Sequence, residues 1–333
     1  MNIGIFTTAG GGGGIFQEYI NKYSENLALI ELNCPPTIEN LKKLKQNNCT
    51  GMIYISDHQE DDIFFQTLAE QGIKYICCCS AGYEFLNLTA MKKYGIKGAN
   101  VPEYSPNAIS EHTVMLLLAL LRKLRTQILR IEGNNFARNG LQGKEVRNMT
   151  IGIVGAGRIG YTTLQCLSGF NPKKMYVYDH HEKAKVKEYA EYVPLDILYK
   201  RSDIIIYHCS YKEENYHMVN EETIAEMKDK VILINVARGP LFDMKAVLEG
   251  IKTGKVGALG IDVIEGEGAL RNKKHDGKCH LPILEEILKY ENTIFTSHTA
   301  YYTDEAIRNI SAITVENLYF YATTGNCPNE VVK

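Results

Sequence analysis

Charged and titratable side chains follow three apolar runs in the second half of the chain. Arg238 ends the run VILINVAR, Glu265 and Glu267 follow GALGIDV, and His298 ends NTIFTSH. A histidine titrates near neutral pH and can move a proton, and a carboxylate beside it favours the protonated ring. An arginine presents a planar fork that suits a carboxylate. These residue types predict reduction of a 2-keto acid by a cofactor that carries hydride.

The three runs must lie side by side for this chemistry to occur. In an open parallel sheet the carboxyl ends of the strands meet at one edge, which is where ligands bind. The residues alone leave two choices open. His208, at the end of IIIYH, rivals His298 as the proton donor. Either Glu265 or Glu267 could be the partner of the histidine, or a solvated loop acid.

A glycine motif within TIGIVGAGRIG predicts where the cofactor binds. Its loop residues are Gly155, Gly157, Arg158, Ile159 and Gly160. The three glycines match G-x-G-x-x-G directly after a strand, with a helix N-terminus positioned for phosphates. Asp179 ends the next strand about 20 residues further on, where a carboxylate accepts ribose hydroxyls. The motif predicts NAD and disfavours NADP.

A second glycine stretch, TTAGGGGGIF, competes with this motif. Gly11 and Gly14 match the second and third glycines of the same motif, and Glu31 matches its downstream acid. Ala9, however, replaces the first glycine, which forms the turn. Five adjacent glycines also cost conformational entropy when they are ordered. We therefore rank this stretch second and predict that Gly10–Gly14 is a mobile loop near the mouth of a cleft.

Short β-branched runs alternate with helical stretches along the chain, which predicts an α/β protein with two parallel sheets. The runs are NIGIF, ALIEL, GMIYI, KYICC, TIGIVG, MYVYD, IIIYH, VILINV, GALGIDV and NTIFTS. Ser105-Pro106 starts an apolar helix that we expect to reach about Arg125. A last helix should begin at Thr303 and end at Gly325.

Composition excludes several classes of protein. The chain has 333 residues, 45% of them hydrophobic, and a formal net charge of −2, so we expect neither nucleic acid nor a membrane as partner. Nine cysteines, three of them adjacent, indicate reduced thiols and a cytoplasmic location. His275, Cys279 and His280 are read as a polar surface loop, and no metal site is predicted.

Five stretches resemble one family, the D-isomer-specific 2-hydroxyacid dehydrogenases, and in particular its D-lactate dehydrogenase branch, which includes the vancomycin-resistance type. They are NVPEYSPNAISEH, MTIGIVGAGRIG, NVARGPLFD, GIDVIEGEG and SHTAYYTDEA. The resemblance implies two doubly wound parallel-sheet domains. A Rossmann NAD-binding domain, 105–298, would be inserted into a flavodoxin-like substrate domain, 1–104 and 299–333.

The resemblance also implies an activity and a partner. The expected reaction is reduction of pyruvate to D-lactate with NADH by a homodimer. Alternatives are a bulkier 2-keto acid, such as phenylpyruvate or 2-ketoisocaproate, or an NAD-sensing protein of the corepressor type.

Residue roles follow from the same resemblance. Arg238 would bind the substrate, His298 would donate the proton, and Glu267 would be its partner. Positions that would line the cofactor are Cys209, Ser210, Asn215, Val236, Ala237 and Asp262. Positions that would line the substrate are Ser80, Ala81, Gly82, Tyr104 and Tyr301.

Overall fold

The structure is a computed structural model of the chain, and it describes residues 1–7, 13–55, 60–270, 275, 277 and 279–332. The chain forms two compact units. The first unit comprises Met1–Ser105 and Thr303–Lys333, and the second comprises Pro106–Tyr302.

All strand pairs in both sheets are parallel. The strands are β1 (Asn2–Phe6), β2 (Ala28–Leu32), β3 (Cys49–Tyr54), β4 (Tyr75–Cys78), β5 (Lys97–Ala99), β6 (Thr150–Val154), β7 (Lys174–Tyr178), β8 (Glu191–Tyr192), β9 (Ile204–Tyr207), β10 (Val231–Asn235), β11 (Val256–Ile261) and β12 (Thr293–Phe295). The first unit has the order β2-β1-β3-β4-β5, and the second has β12-β11-β10-β9-β6-β7-β8. These are the flavodoxin-like and Rossmann orders, so the predicted fold class is confirmed.

The helices connect successive strands, except for the last helix, which follows the last strand. They are α1 (Gly13–Ile20), α2 (Ile38–Gln46), α3 (Asp62–Glu70), α4 (Leu88–Lys93), α5 (Pro106–Leu121), α6 (Leu124–Glu132), α7 (Arg158–Ser168), α8 (Ala184–Lys187), α9 (Leu195–Arg201), α10 (Glu221–Glu226), α11 (Met244–Thr253), α12 (Pro282–Leu288) and α13 (Asp304–Thr324). They alternate with strands as the sequence pattern predicts.

Each of the ten predicted strands is present, and two further strands escaped prediction. β5 and β8 lie at sheet edges and are short. β5 has the sequence KGA, which lacks the β-branched residues that indicate a strand. Register with a neighbouring strand, rather than local propensity, makes it a strand.

The apolar helix is shorter than predicted. It begins at Pro106 as expected but ends at Leu121, because Lys123 adopts a left-handed conformation with φ of 53° and a new helix starts at Leu124. The last helix follows the prediction, since the Thr303 side chain accepts a hydrogen bond from the Ala306 amide and Gly325 ends the helix with a left-handed turn.

Helix α13 returns to the first unit and buries one side of its sheet. Val315, Leu318 and Tyr321 pack with Ile3, Ile5 and the side chains of α1. Helices α2, α3 and α4 cover the other side of this sheet with a second apolar cluster. The C-terminal helix is therefore part of the core of the N-terminal sheet.

Three further predictions concern the cysteines, membrane-spanning helices and the Gly10–Gly14 stretch. The nine cysteines are all free. No helix among the described residues is both long and apolar enough to span a membrane. The Gly10–Gly14 prediction falls largely outside the described residues, since only Gly13 and Gly14 are described, as the first residues of α1.

Candidate active site

His298 and Glu267 form a close pair in the second unit. The Nδ1 atom of His298 lies 2.6 Å from Oε1 of Glu267, and both side chains are partly buried. The other carboxylate oxygen of Glu267 accepts a hydrogen bond of 3.0 Å from the Ile264 amide. Because Nδ1 faces the carboxylate, Nε2 on the far side of the ring is the atom available for proton transfer.

The backbone of His298 is held in an unusual conformation by Asp262. His298 has a backbone φ of +51°, a value that residues other than glycine seldom adopt. The Asp262 carboxylate is fully buried and accepts hydrogen bonds from the Thr299 amide at 2.9 Å and the Ala300 amide at 2.9 Å. Its backbone carbonyl accepts the His298 amide at 2.8 Å. Asp262 therefore fixes the segment that aims the histidine.

Arg238 lies at the end of β10, next to the loop that carries Glu267. Asn235 ties this turn together, because its side chain donates to the Arg238 carbonyl at 2.9 Å and accepts from the Ala237 amide at 3.0 Å. A Cβ on Gly239 would lie 2.3 Å from the Glu265 amide nitrogen. Only glycine permits this approach, so the Arg238 turn and the glutamate loop are neighbours at one sheet edge.

The two rival residues have other partners. His208 contacts the Thr163 hydroxyl at 2.9 Å, and burial lowers the pKa of this histidine to about 3. Its ring is therefore neutral at neutral pH and is a poor general acid. Glu265 lies 2.9 Å from Nε2 of His217 and also accepts from the Tyr216 hydroxyl. The geometry therefore favours His298 as the candidate proton donor and Glu267 as its carboxylate partner.

The glycine motif forms a tight strand–turn–helix unit. Gly155 has φ of +96°, and a Cβ there would lie 2.5 Å from the Cys209 amide nitrogen. A Cβ on Gly160 would lie 2.0 Å from the Gly155 carbonyl oxygen. The Asp179 carboxylate accepts the Ala156 amide at 2.7 Å and the His181 amide at 2.9 Å. The motif lies between β6 and β9, where the strand order of the sheet reverses.

Comparison with known proteins identifies the family. Residues 114–300 match the model of the D-isomer specific 2-hydroxyacid dehydrogenase, NAD binding domain. The chain belongs to the D-isomer-specific 2-hydroxyacid dehydrogenases. This dehydrogenase is 40% identical over 318 residues to an aromatic 2-oxoacid reductase of Clostridium sporogenes, with 95% of each chain covered. It is 34% identical to a D-lactate dehydrogenase of Escherichia coli, over 86% of this chain and 87% of that protein.

A solved structure extends the similarity to the whole fold. The structure of D-2-hydroxyisocaproate dehydrogenase matches this dehydrogenase with a TM-score of 0.87, 29% identity and complete coverage of both chains. The family assignment predicted from sequence is thus confirmed, and NAD is the cofactor.

The glycine loop after β6 has features that suit a dinucleotide. Among the described residues, a Cβ on Gly157 would meet no atom within 4 Å, so this glycine faces open space at the start of α7. Arg158 and Ile159 form the first turn of that helix, whose N-terminus suits phosphate groups. Asp179 follows β7, where its carboxylate suits ribose hydroxyls. The competing glycine stretch near the N-terminus lies outside the matched NAD-binding domain.

The backbone positions expected to line the cofactor belong to two loops of the dehydrogenase. Asn215 closes the first loop, because its side chain donates to the Ser210 carbonyl at 2.9 Å and accepts from the Lys212 amide at 2.8 Å. Cys209 starts this loop, and burial raises the pKa of its thiol to about 11, so it is not a nucleophile at neutral pH. Val236 and Ala237 belong to the second loop, which leads into the Arg238 turn.

The expected substrate residues are divided between the two units. Ser80, Ala81 and Gly82 follow β4 in the first unit, and Tyr104 is held there by a 2.7 Å hydrogen bond from Asn309 to its carbonyl. Tyr301 belongs to the second unit, where its ring lies edge-on to that of His298 at 6.1 Å.

His112 joins the active-site cluster although sequence reasoning missed it. It lies inside α5. Its Nε2 lies 2.9 Å from the Thr296 hydroxyl and 3.6 Å from Asp262, and burial lowers the pKa of His112 while the Asp262 charge opposes that shift. His112 lies one helical turn before the buried Leu116, so both side chains share one face of α5. This spacing is the sequence signal that could have indicated an inward-facing His112.

Proposed function

We propose that this dehydrogenase reduces a 2-keto acid to the D-2-hydroxy acid with NADH. The observation that carries the proposal is the 2.6 Å contact between His298 and Glu267, beside the turn that bears Arg238. The pair has the residue types and the spacing of a general acid and the group that orients it.

Bound NADH supplies the hydride for this reaction. His298 donates a proton from Nε2 to the carbonyl oxygen of the substrate. Glu267 keeps the imidazole oriented and favours its protonated form. Arg238 binds the substrate through its guanidinium and stabilises the negative charge that develops on the carbonyl oxygen.

The substrate carboxylate binds to backbone amides of the loop Ser80–Gly82. Within the part of the chain that the structure describes, the amide groups of Ala81 and Gly82 have no hydrogen-bond acceptor. Free amides in a turn form a concave site for anions. This supports the role that the family resemblance gives to the loop.

The substrate is pyruvate or a larger 2-keto acid. Pyruvate follows from the resemblance to D-lactate dehydrogenases. An aromatic 2-keto acid such as phenylpyruvate is the second candidate, because the identity to an aromatic 2-oxoacid reductase is 40%, against 34% to the D-lactate dehydrogenase of Escherichia coli. The values of kcat/KM for pyruvate, 2-ketoisocaproate and phenylpyruvate would separate these candidates.

The two units support the two expected domains, although residues 299–302 belong to the second unit and Ser105 belongs to the first. Residues 1–104 and 299–333 form the substrate domain, and 105–298 form the NAD-binding domain. The matched NAD-binding family model, 114–300, falls within the unit Pro106–Tyr302. The nine free cysteines support a cytoplasmic location.

A homodimer is also part of the proposal. Leu124, Ile128 and Ile131 are 47%, 47% and 56% exposed, and their spacing gives one apolar stripe along α6. Exposed apolar stripes of this kind mark protein interfaces.

Kinetics of the wild-type protein and of His298→Ala test the proposed reaction. We expect the wild type to oxidise NADH with at least one 2-keto acid and to release the D-hydroxy acid. His298→Ala should lower kcat by about 10² to 10⁴, the usual contribution of a general acid. A wild-type protein that binds NAD but turns over no 2-keto acid would instead favour the NAD-sensing alternative.

A pair of glutamate variants tests the assignment of Glu267. Glu267→Gln keeps the shape of the side chain but removes the charge that favours protonated His298, so kcat should fall by about 100-fold and the loss of activity at high pH should begin at a lower pH. The control, Glu265→Gln, removes a neighbouring carboxylate that contacts His217 and should retain kcat within about twofold. Equal losses in both variants would contradict the assignment.

A further inference from the structure

The C-terminal helix α13 places one buried amide next to the segment that leads to the substrate loop. Asn317 is 1% exposed, and its Nδ2 donates to the Asn100 carbonyl at 2.9 Å. We propose that Asn317 is a positioning residue for the loop Ser80–Gly82, acting through Asn100. The role of that loop rests on the function proposed above.

Asn317 has matched partners on both ends of its amide. Its Oδ1 accepts from Nδ2 of Asn329 at 2.9 Å and from the Cys327 thiol at 3.1 Å. The reverse orientation of the amide would set two carbonyl oxygens against each other and two NH₂ groups against each other. The surroundings therefore fix one orientation, with the donor toward Asn100.

Asn100 passes this constraint to the loop. Its side chain donates to the Ala81 carbonyl at 2.7 Å, while the next residue, Val101, donates its amide to the Ser80 carbonyl at 3.0 Å. The Ser80 hydroxyl donates to the Gly82 carbonyl at 2.6 Å. All three loop carbonyls are thereby held inside the first unit.

The held carbonyls explain how the loop can offer its amides. Within the described ranges, the amides of Ala81 and Gly82 donate to no acceptor, although every carbonyl of the loop is paired. A loop with free amides and fixed carbonyls is organised before an anion binds. Loss of the Asn317 donor leaves the Asn100 carbonyl unsatisfied and loosens this arrangement.

The C-terminal segment completes the support. The Asn100 amide donates to the Asn329 carbonyl at 3.2 Å, and the Val331 amide donates to the Gly98 carbonyl at 2.8 Å. Asn317 joins this segment to the Asn100 carbonyl. The substrate loop is thus supported by residues more than two hundred positions away in sequence.

Asn317→Leu tests the proposal kinetically, because leucine has a similar size and no hydrogen-bonding group. We expect the KM for the keto acid, and the inhibition constant for oxamate, the amide analogue of pyruvate, to rise about tenfold. The kcat should fall less than about threefold and the KM for NADH should stay within about twofold, because His298 and the cofactor loop belong to the other unit. Asn317→Ala repeats the test if the leucine variant does not fold.

Lys97→Met is the matched control. Lys97 donates to the Gly325 carbonyl and to Oδ1 of Asn326, both at 2.8 Å, so it holds the start of the same C-terminal segment without contacting Asn100. This variant should keep the KM for the keto acid within about twofold. A tenfold rise in both variants would mean that general loosening of the C-terminus, and not Asn317, causes the effect.

Hydrogen exchange supplies a readout that does not depend on turnover. Peptides that cover residues 99–102 contain the Val101 amide, which donates to the Ser80 carbonyl, and the Asn100 amide, which donates to the Asn329 carbonyl. These amides should exchange at least about tenfold faster in Asn317→Leu than in the wild type or in Lys97→Met. If the wild type reduces no 2-keto acid, the proposed function fails, and the exchange result still decides whether Asn317 holds the loop. Unchanged exchange and unchanged KM in a folded Asn317→Leu protein would overturn the inference.

Discussion

The proposed proton donor, His298, is held by hydrogen bonds that oppose its local conformational preference. His298 has a left-handed backbone, which costs on the order of 1–2 kcal/mol for a residue other than glycine. Asp262 and Glu267 hold it there with bonds to its neighbours' amides and to its ring. His112 and Thr296 complete the hydrogen-bonded cluster around the buried Asp262.

The partly buried His208 makes a pH-dependent contribution to stability. Its folded pKa of about 3 lies below the ordinary value of 6.5, so the unfolded chain binds a proton between these values and the folded chain does not. Stability is therefore complete above pH 6.5 and falls as the pH decreases, by up to about 1.4 kcal/mol per pH unit.

We expect His208→Gln to lose this part of the pH dependence. Urea denaturation at pH 7, 6 and 5 would measure it as a smaller decrease in the free energy of unfolding than in the wild type. His181→Gln, at an exposed histidine, should follow the wild-type profile. Parallel profiles for the wild type and His208→Gln would mean that His208 has the same pKa in the folded and the unfolded chain.

At the scale of elements, the site is built from loops that follow neighbouring parallel strands. The loops after β10, β11 and β12 bear Arg238, Glu267 and His298, and the order β12-β11-β10 brings them to one edge. Glycines set how closely the loops approach. The absence of a side chain at Gly155 lets the loop after β9 pack against it, and the absence of one at Gly239 does the same for the loop after β11.

Gly239→Ala tests this close approach. Its Cβ would lie 2.3 Å from both the Glu265 amide nitrogen and the Ile264 carbonyl carbon, so the loop that carries Glu267 must move away. We expect kcat to fall by about 100-fold, because small displacements of catalytic groups are costly. Gly133→Ala, where the nearest contact would be an ordinary 3.5 Å, should keep full activity. An active Gly239→Ala enzyme would show that the loop spacing is not limiting.

At the scale of the whole molecule, two parallel-sheet units arise from a chain that leaves the first unit and returns to it. Helix α13 covers one face of the sheet that begins with Asn2, and its Asn317 side chain donates to the Asn100 carbonyl. The second unit keeps an exposed apolar stripe on α6, which we assign to a partner copy.

Ile128→Glu tests the proposed dimer. A charge in the middle of the stripe should shift the protein toward the monomer, since an unpaired buried charge costs several kcal/mol at an interface. Sedimentation equilibrium would measure the change in dissociation constant. Ile38→Glu, at an isolated isoleucine of α2 that is equally 47% exposed, should leave the assembly unchanged. A wild-type protein that is monomeric at micromolar concentration would contradict the proposal.

The sequence by itself determined the fold class, the family, the cofactor loop and the residue types of the reaction. These features depend on local pattern: alternating strands and helices, G-x-G-x-x-G spacing, and charged groups at strand ends. Tertiary structure decided which of these groups meet. His208 and His298 both end apolar runs, yet one is desolvated and the other lies against Glu267. The roles of Asp262, His112 and Asn317 depend on contacts between residues far apart in sequence, and local spacing carries no information about such contacts.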